Sequence, residues 1–375
     1  MSKQVNESPQ EAAGDYKMKI GLGTVAMLLS ATGMGLVPLF SRWATRTEFL
    51  DGSQGLNAGD SVGALMAVGR MSMGLIFFLI IVIATHKIGL LKKLKLSPSI
   101  ALGGLMIGMS LACYVTSTLL TTISNAVLFI YIGPVICVLM ARIFRKEPMS
   151  ILQWVCLVAV FIGMIFGNNL MGWGIGGNPG FSIDFNLQMS TPEFPQKGIG
   201  DMFGIASGVF YGASMFFNGY RKDVDTAVRG VWNFVFAVIG AGSITIVLNA
   251  MGATPGMESW ALNLQLTTFN WIGAVIFWIV CGPFALGLLL VAGRNLPAAD
   301  YGTIAYWEVP VAIIIGLFVF NEPLTINTII GGILIIGGGA IPSIKGMLSG
   351  RQTKQEEILE ESIEHLGEAE KETLR

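Results

Sequence analysis

The sequence predicts an all-α membrane protein of ten transmembrane helices, arranged as two inverted-topology five-helix repeats with both termini cytoplasmic. Three observations carry the prediction: an apolar composition, ten apolar runs with asymmetrically charged connections, and a likeness between the two halves. Of the 375 residues, 53% are hydrophobic and 13% are charged, and mean hydropathy is +0.66. Soluble domains carry about 25% charged residues, so this chain has too little charge to cover a water-facing surface. Its plentiful apolar residues exclude intrinsic disorder. The 23 basic and 24 acidic residues nearly cancel and form no basic module, which argues against nucleic acid as a partner.

A spanning helix needs about 20 mostly apolar residues. Ten stretches qualify, at roughly 20–41, 61–84, 99–118, 121–141, 151–169, 199–219, 230–250, 269–291, 298–320 and 325–346. They are continuous rather than alternating, which excludes a β-barrel. With the N-terminus inside, only Arg42, Arg46 and Lys197 face outward and Arg70 falls within a span; every other Lys and Arg lies on the cytoplasmic side. Such an asymmetry is the positive-inside pattern, and adding or removing one helix destroys it.

The chain then divides into a polar cytoplasmic tail (1–19), a first repeat (20–169), an extracytoplasmic loop (170–198), a second repeat (199–346) and an acidic cytoplasmic tail (347–375). The first apolar run is too long for a cleavable signal. In the long loop, Met171 to Gly180 (MGWGIGGNPG) cannot hold a regular helix and reads as a connection sooner than as an ordered lid.

The halves resemble one another. Thr121 to Val135 reads TTISNAVLFIYIGPV and Pro297 to Val311 reads PAADYGTIAYWEVPV. Aligning Pro134 with Pro310 brings Ser124 onto Asp300 and Ile132 onto Glu308. A Glu-Pro pair follows in each half, Glu147-Pro148 and Glu322-Pro323, and sixteen residues after each Glu stands a glycine, Gly163 and Gly338. Five helices is an odd number, so the second half enters the membrane from the opposite side. Inverted repeats of this kind build many secondary transporters, with substrate near the midplane between the halves.

Arg70 in AVGRMSMGLIFF, the run from Asn125-Ala126 to Pro134, FRKEP before the fifth helix, GDMFGIASGVFYGASMFF and YWEVPVAIIIGLFVFNEP occur in an order similar to that of EamA-type members of the drug/metabolite transporter superfamily. The resemblance spans about residues 20–346. It implies a ten-helix fold that moves small metabolites, often outward, across the cytoplasmic membrane, and it favours amino acids and related amines as substrate. The long outer loops and acidic tail depart from the family.

Glu308 is the sharpest candidate. It lies about ten residues into the ninth span, roughly 15 Å deep at 1.5 Å per residue. A carboxylate at that depth is costly and suggests function. It suits a proton-coupling group or a contact for a cationic substrate. Arg70, at matching depth, offers an alternative, a buried ion pair that is structural or gating, and could itself bind an anion. Asp300 either caps the start of the ninth helix or acts as an inner-gate acid. Tyr114, Tyr131, Tyr211, Trp278, Tyr306 and Trp307 lie at similar depths, either as an aromatic cage for amines or as packing. Asn125, Asn218 and Asn233 could line the path or join helices.

Pro38, Pro134, Pro283 and Pro310 fall inside spans, where each removes a backbone donor and kinks its helix. The matched pair Pro134 and Pro310 either frees carbonyls for substrate and gating or only shapes the bundle. Gly204, Gly208 and Gly212 read as a helix-packing stripe. So do Gly331, Gly332 and Gly337 to Gly339, with contact to a second copy of the chain as the runner-up. Cys113, Cys137, Cys156 and Cys281 stand singly in apolar runs as small buried hydrophobes.

No His/Cys cluster proposes a metal or haem, and no GxxxxGK[ST] proposes ATP. Neither cofactor nor enzymatic activity is expected. The last 25 residues hold eight acids against four bases, a solvated tail or a weak helix that docks a partner. The alternative function is accordingly a membrane-embedded sensor or scaffold. A channel is disfavoured, since no ring of like charge is present.

Overall fold

The computed structural model describes residues 9–45, 63–146, 151–167, 171–174, 180–183, 194–218, 224–252, 266–295, 304–322 and 324–338, with 190, 220 and 341. The helices are α1 (Pro9–Gly35), α2 (Val37–Thr45), α3 (Gly63–Ala84), α4 (Ile88–Lys93), α5 (Pro98–Leu120), α6 (Ile123–Ile130), α7 (Ile132–Phe144) and α8 (Ile151–Gly167). They continue with α9 (Lys197–Asn218), α10 (Thr226–Met251), α11 (Thr268–Ile279), α12 (Ala285–Asn295), α13 (Glu308–Val319) and α14 (Ile326–Gly338).

Among the described residues, six stretches are long and apolar enough to cross a membrane: Gly21–Thr45, Ala64–Ala84, Pro98–Leu120, Ile123–Phe144, Thr226–Met251 and Thr268–Leu289. Three shorter apolar helices, Trp154–Gly167, Glu308–Val319 and Ile326–Gly338, lie in other stretches that the sequence marked as spans. Asp300, Glu147 and the tail from 347 lie outside the described residues.

Local chemistry sets the helix starts. Thr122 accepts from the Asn125 amide, Asp225 from the Ala227 and Val228 amides, and Thr267 from the Asn270 amide. Each side chain thereby satisfies a donor that the first turn leaves unpaired. Pro98 opens α5, where its missing N–H costs nothing.

The bundle is centred on α5, which packs against α9 and α10 along much of its length and also meets α2 and α3. Glycines permit the approach. A methyl on Gly108 would collide with the Ala237 carbonyl, and one on Gly240 with the Leu105 carbonyl. Gly204, Gly208 and Gly212 seat α9 against Phe129, Ile132 and the Gly133 carbonyl. Gly331 meets Gly163 and Gly167, and Gly338 meets Cys156 and Val160, so this part of α14 faces α8 within the same chain. Cys113, Cys156 and Cys281 are buried, but Cys137 is only partly so. Asn218 and Asn233 join α9 to α10, with Asn233 Nδ2 donating to Asn218 Oδ1 at 3.1 Å.

The loop read as a plain connection holds regular structure. β1 (Met171–Trp173) and β2 (Phe181–Ile183) pair antiparallel, Trp173 opposite Phe181. Buried Asn327 holds β1, accepting from the Trp173 amide at 3.0 Å and donating to its carbonyl at 2.9 Å. Gly172, at φ +149°, leaves no room for a side chain beside the Asn327 amide.

Four helix breaks among the described residues each lie beside a proline. Leu36 separates α1 from α2, two residues before Pro38, and Tyr131 separates α6 from α7, with Pro134 in the following turn. Val280–Phe284 is a π-helical turn containing Pro283, where Gly282 leaves the helical region at φ −92°, ψ −108°. Trp307 precedes α13, which carries Pro310 in its first turn. Proline has no N–H for the carbonyl four residues back; the Tyr306 carbonyl accepts instead from the Val309 amide at 3.1 Å. The predicted spans 20–41, 121–141, 269–291 and 298–320 are therefore interrupted rather than continuous helices.

Candidate functional site

The four breaks meet around two charged residues. Glu308 opens α13 and is half-buried. Its Oε2 accepts from the Tyr131 hydroxyl at 3.1 Å, and the same hydroxyl reaches the Ala305 carbonyl at 3.4 Å. Tyr131 is itself the residue at the α6/α7 break. Tyr306 lays its ring against Tyr131, with centroids 5.2 Å apart. Tyr211 packs on Gly133, where a methyl would sit 2.5 Å from its ring, and lies within electrostatic range of Tyr131. Gly35, ending α1, brings the Glu308 carbonyl within 3.0 Å of where its own Cβ would stand.

Arg70 projects from α3 and is 1% exposed. It makes no ion pair with Glu308, although the two charges lie within electrostatic range. The backbone break supplies a different partner. The Ala285 amide bonds to the Val280 and Gly282 carbonyls and bypasses that of Cys281. Arg70 Nε takes the Cys281 carbonyl at 2.8 Å, and Nη2 reaches the Met34 sulfur at 2.8 Å. The Phe277 ring lies 5.9 Å from the guanidinium carbon. Tyr114 of α5, also 1% exposed, lies within electrostatic range of Arg70 and Glu308. In the sequence it stood out only as one aromatic among several.

Other sequence candidates fall elsewhere. Trp307 is 46% exposed and turns away from Glu308, its Nε1 donating to Thr32 Oγ1 at 3.2 Å. Neighbouring helical positions point about 100° apart, which fits Trp307 facing away from Glu308. Trp278 covers Gly69 and donates to the Met66 carbonyl at 3.1 Å. Asn125 Nδ2 contacts Asp201 Oδ1 at 3.4 Å, in a second polar cluster. Pro134 and Pro310 stand at the breaks beside Tyr131 and Glu308.

That second cluster was not anticipated. Arg42, at the end of α2, is fully buried and pairs through Nη2 with Glu322 Oε1 at 2.8 Å. Its Nε donates to the Thr118 carbonyl at 2.8 Å and its Nη2 to that of Thr121 at 3.1 Å. Glu322 accepts from the Ile123 amide at 2.8 Å, capping α6. Thr121 donates to Asp201 at 2.7 Å, and Lys197 pairs with Asp201 at 2.5 Å. The signal available in the sequence was the Glu shared by FRKEP and FNEP.

The sequence profile of the EamA-like transporter family matches residues 21–168, which carry Arg42, Arg70, Tyr114 and Tyr131. Residues 21–168 are thus similar to the EamA-like transporter family. Members of that family are membrane transporters of the drug/metabolite type rather than enzymes, and the match together with the apolar helices supports a multi-pass membrane protein. A solved structure titled "Crystal structure of protein" shares the fold, at a TM-score of 0.51 and 16% identity over 86% of this chain and 96% of its own. Its likeness therefore extends beyond the residues that the family profile matches, into the second half. No curated protein sequence matches the chain.

Proposed function

We propose that the chain is a secondary transporter that moves a small organic metabolite, an amino acid or related amine, across the cytoplasmic membrane by alternating access. Ten spans in two inverted repeats, with both termini inside, form its frame. The observation that carries this reading is the Tyr131–Glu308 hydrogen bond between helix breaks of the two halves. A carboxylate beside broken helices can exchange a proton for an ammonium group. Rocking one half against the other remakes the contact.

In this reading Glu308 takes a proton or the substrate cation, but not both at once, which couples the two. The Arg42–Glu322 cluster lies at the end that the charge pattern assigns to the outside, and we read it as the closed outer gate. The hairpin that Asn327 holds at β1 covers the same end.

Thermal melting of the purified protein at pH 5.5 and 8, with amino acids, amines, nucleosides and organic acids, tests the reading. A bound ligand raises the melting temperature by mass action. Stabilisation by an amino acid or amine, lost in Glu308→Gln, is expected. Stabilisation by organic acids or nucleosides alone, unchanged in Glu308→Gln, would overturn it.

A further inference from the structure

We infer that Arg70 Nη1 and the Tyr114 hydroxyl form a carboxylate subsite beside Glu308, so that the ligand is a zwitterion, an α-amino acid held at both ends. The inference rests on the transport reading above and names the substrate class and the residues that select it.

Two buried donors at the site have no protein acceptor. Arg70 Nη1 and the Tyr114 hydroxyl are both enclosed and unpartnered. Each residue is 1% exposed. Leaving such groups unpaired is costly, most of all on a charged guanidinium. The partners that Arg70 does have are a neutral carbonyl and a thioether, the latter a weak acceptor. No carboxylate touches its guanidinium among the described residues. The positive charge is thus held by the scaffold but not neutralised in contact.

The two side chains lie within electrostatic range of one another and of Glu308. They come from α3 and α5, while Glu308 comes from α13, so three elements converge. An anion between Arg70 and Tyr114 would receive charge-assisted hydrogen bonds, the stronger kind. Glu308, which the Tyr131 hydroxyl orients, offers an acceptor to an ammonium. The positive Arg70 and the unprotonated Glu308 together match a ligand that carries both charges. A simple amine would leave Arg70 and Tyr114 unpaired, and a simple carboxylic acid would place like charge near Glu308.

The test compares binding of L-alanine, L-leucine, L-threonine and L-phenylalanine, each against its own amide, to the full-length protein in detergent. Wild type is expected to bind at least one amino acid about tenfold or more tightly than its amide. Tyr114→Phe removes only an unpartnered hydroxyl, so the unliganded melting temperature should not fall. It should weaken the amino acid about tenfold and leave the amide unchanged. Arg70→Lys, which keeps the charge but loses the fork, should also weaken the acid selectively.

Equal binding of acid and amide by wild type, or an amino-acid affinity unchanged in Tyr114→Phe, overturns the subsite. If amides bind and Glu308→Gln abolishes that binding, the transport reading survives while this inference fails. If neither acids nor amides bind, both fail.

Discussion

The Tyr131 hydroxyl donates to Glu308 Oε2 at 3.1 Å, bridging 177 residues of sequence to join the α6/α7 break to the start of α13. Hydrogen bonds to charged groups contribute about 1.5–3 kcal/mol. Tyr131→Phe should therefore weaken ligand binding by roughly 10- to 100-fold, while Tyr306→Phe, which keeps the ring against Tyr131, should cost far less. Titration calorimetry with the ligand found by thermal screening measures both. Equal losses would assign the effect to ring packing instead.

Arg42 and Glu322 are 0% and 3% exposed, and their pair ties α2, the α5–α6 junction and the segment after α13 together. Removing one partner of a buried pair costs about 3–5 kcal/mol. Arg42→Met and Glu322→Gln should each lower the melting temperature strongly. The double variant should fall short of their sum by more than about 1 kcal/mol, as for contacting groups. Additive losses in the double-mutant cycle would show that the two act independently.

Lys87 and Asp225 form an ion pair at 2.6 Å ahead of α10. The hydrogen bond from Lys87 holds the Asp225 carboxyl below the ordinary carboxylate range, against a smaller opposing effect of burial, and the Val228 and Ala227 amides add to the lowering. A group whose folded-state value is depressed contributes stability above its unfolded value, about 3.9 for aspartate. That contribution is lost as pH falls through the lower folded value. Asp225→Asn should thus melt below wild type at pH 7, with the gap closing below about pH 4. Added salt should shrink the gap as well, since both side chains are 30% exposed. A gap independent of pH would contradict the assignment.

Helix packing gives a paired prediction. A methyl at Gly108 would collide with the Ala237 carbonyl, whereas Gly242, on α10, has nothing within 4 Å. Gly108→Ala should force α5 and α10 apart and lower the melting temperature by several degrees, of the order that overpacking by about 1–3 kcal/mol produces. Gly242→Ala should leave it unchanged or raise it, since alanine favours helix.

Charge within apolar runs made Glu308 and Arg70 legible in the sequence, because such charge is too costly to be incidental. Proline marked the breaks, each within a few residues of where they occur. The side-chain partnerships were not legible. An ion pair at matching depth was one alternative for Arg70 and Glu308, but the π-helical turn frees the Cys281 carbonyl, and that local event captures Arg70. Tyr131 and Trp307 hold matching positions in the two halves, yet only Tyr131 faces Glu308; the period of α-helix rotation around a break is not written in composition. Arg42 and Glu322 stood at span ends, where charge ordinarily meets solvent. Their burial depends on three separate segments closing over one another.

The most direct test is amino-acid flux into proteoliposomes with and without a pH gradient, comparing wild type with Glu308→Gln. The account predicts gradient-stimulated flux in wild type and loss of that flux in Glu308→Gln, with the variant still folded by its melting curve. Equal flux in the two proteins at every pH would contradict the placing of binding and coupling at the paired helix breaks.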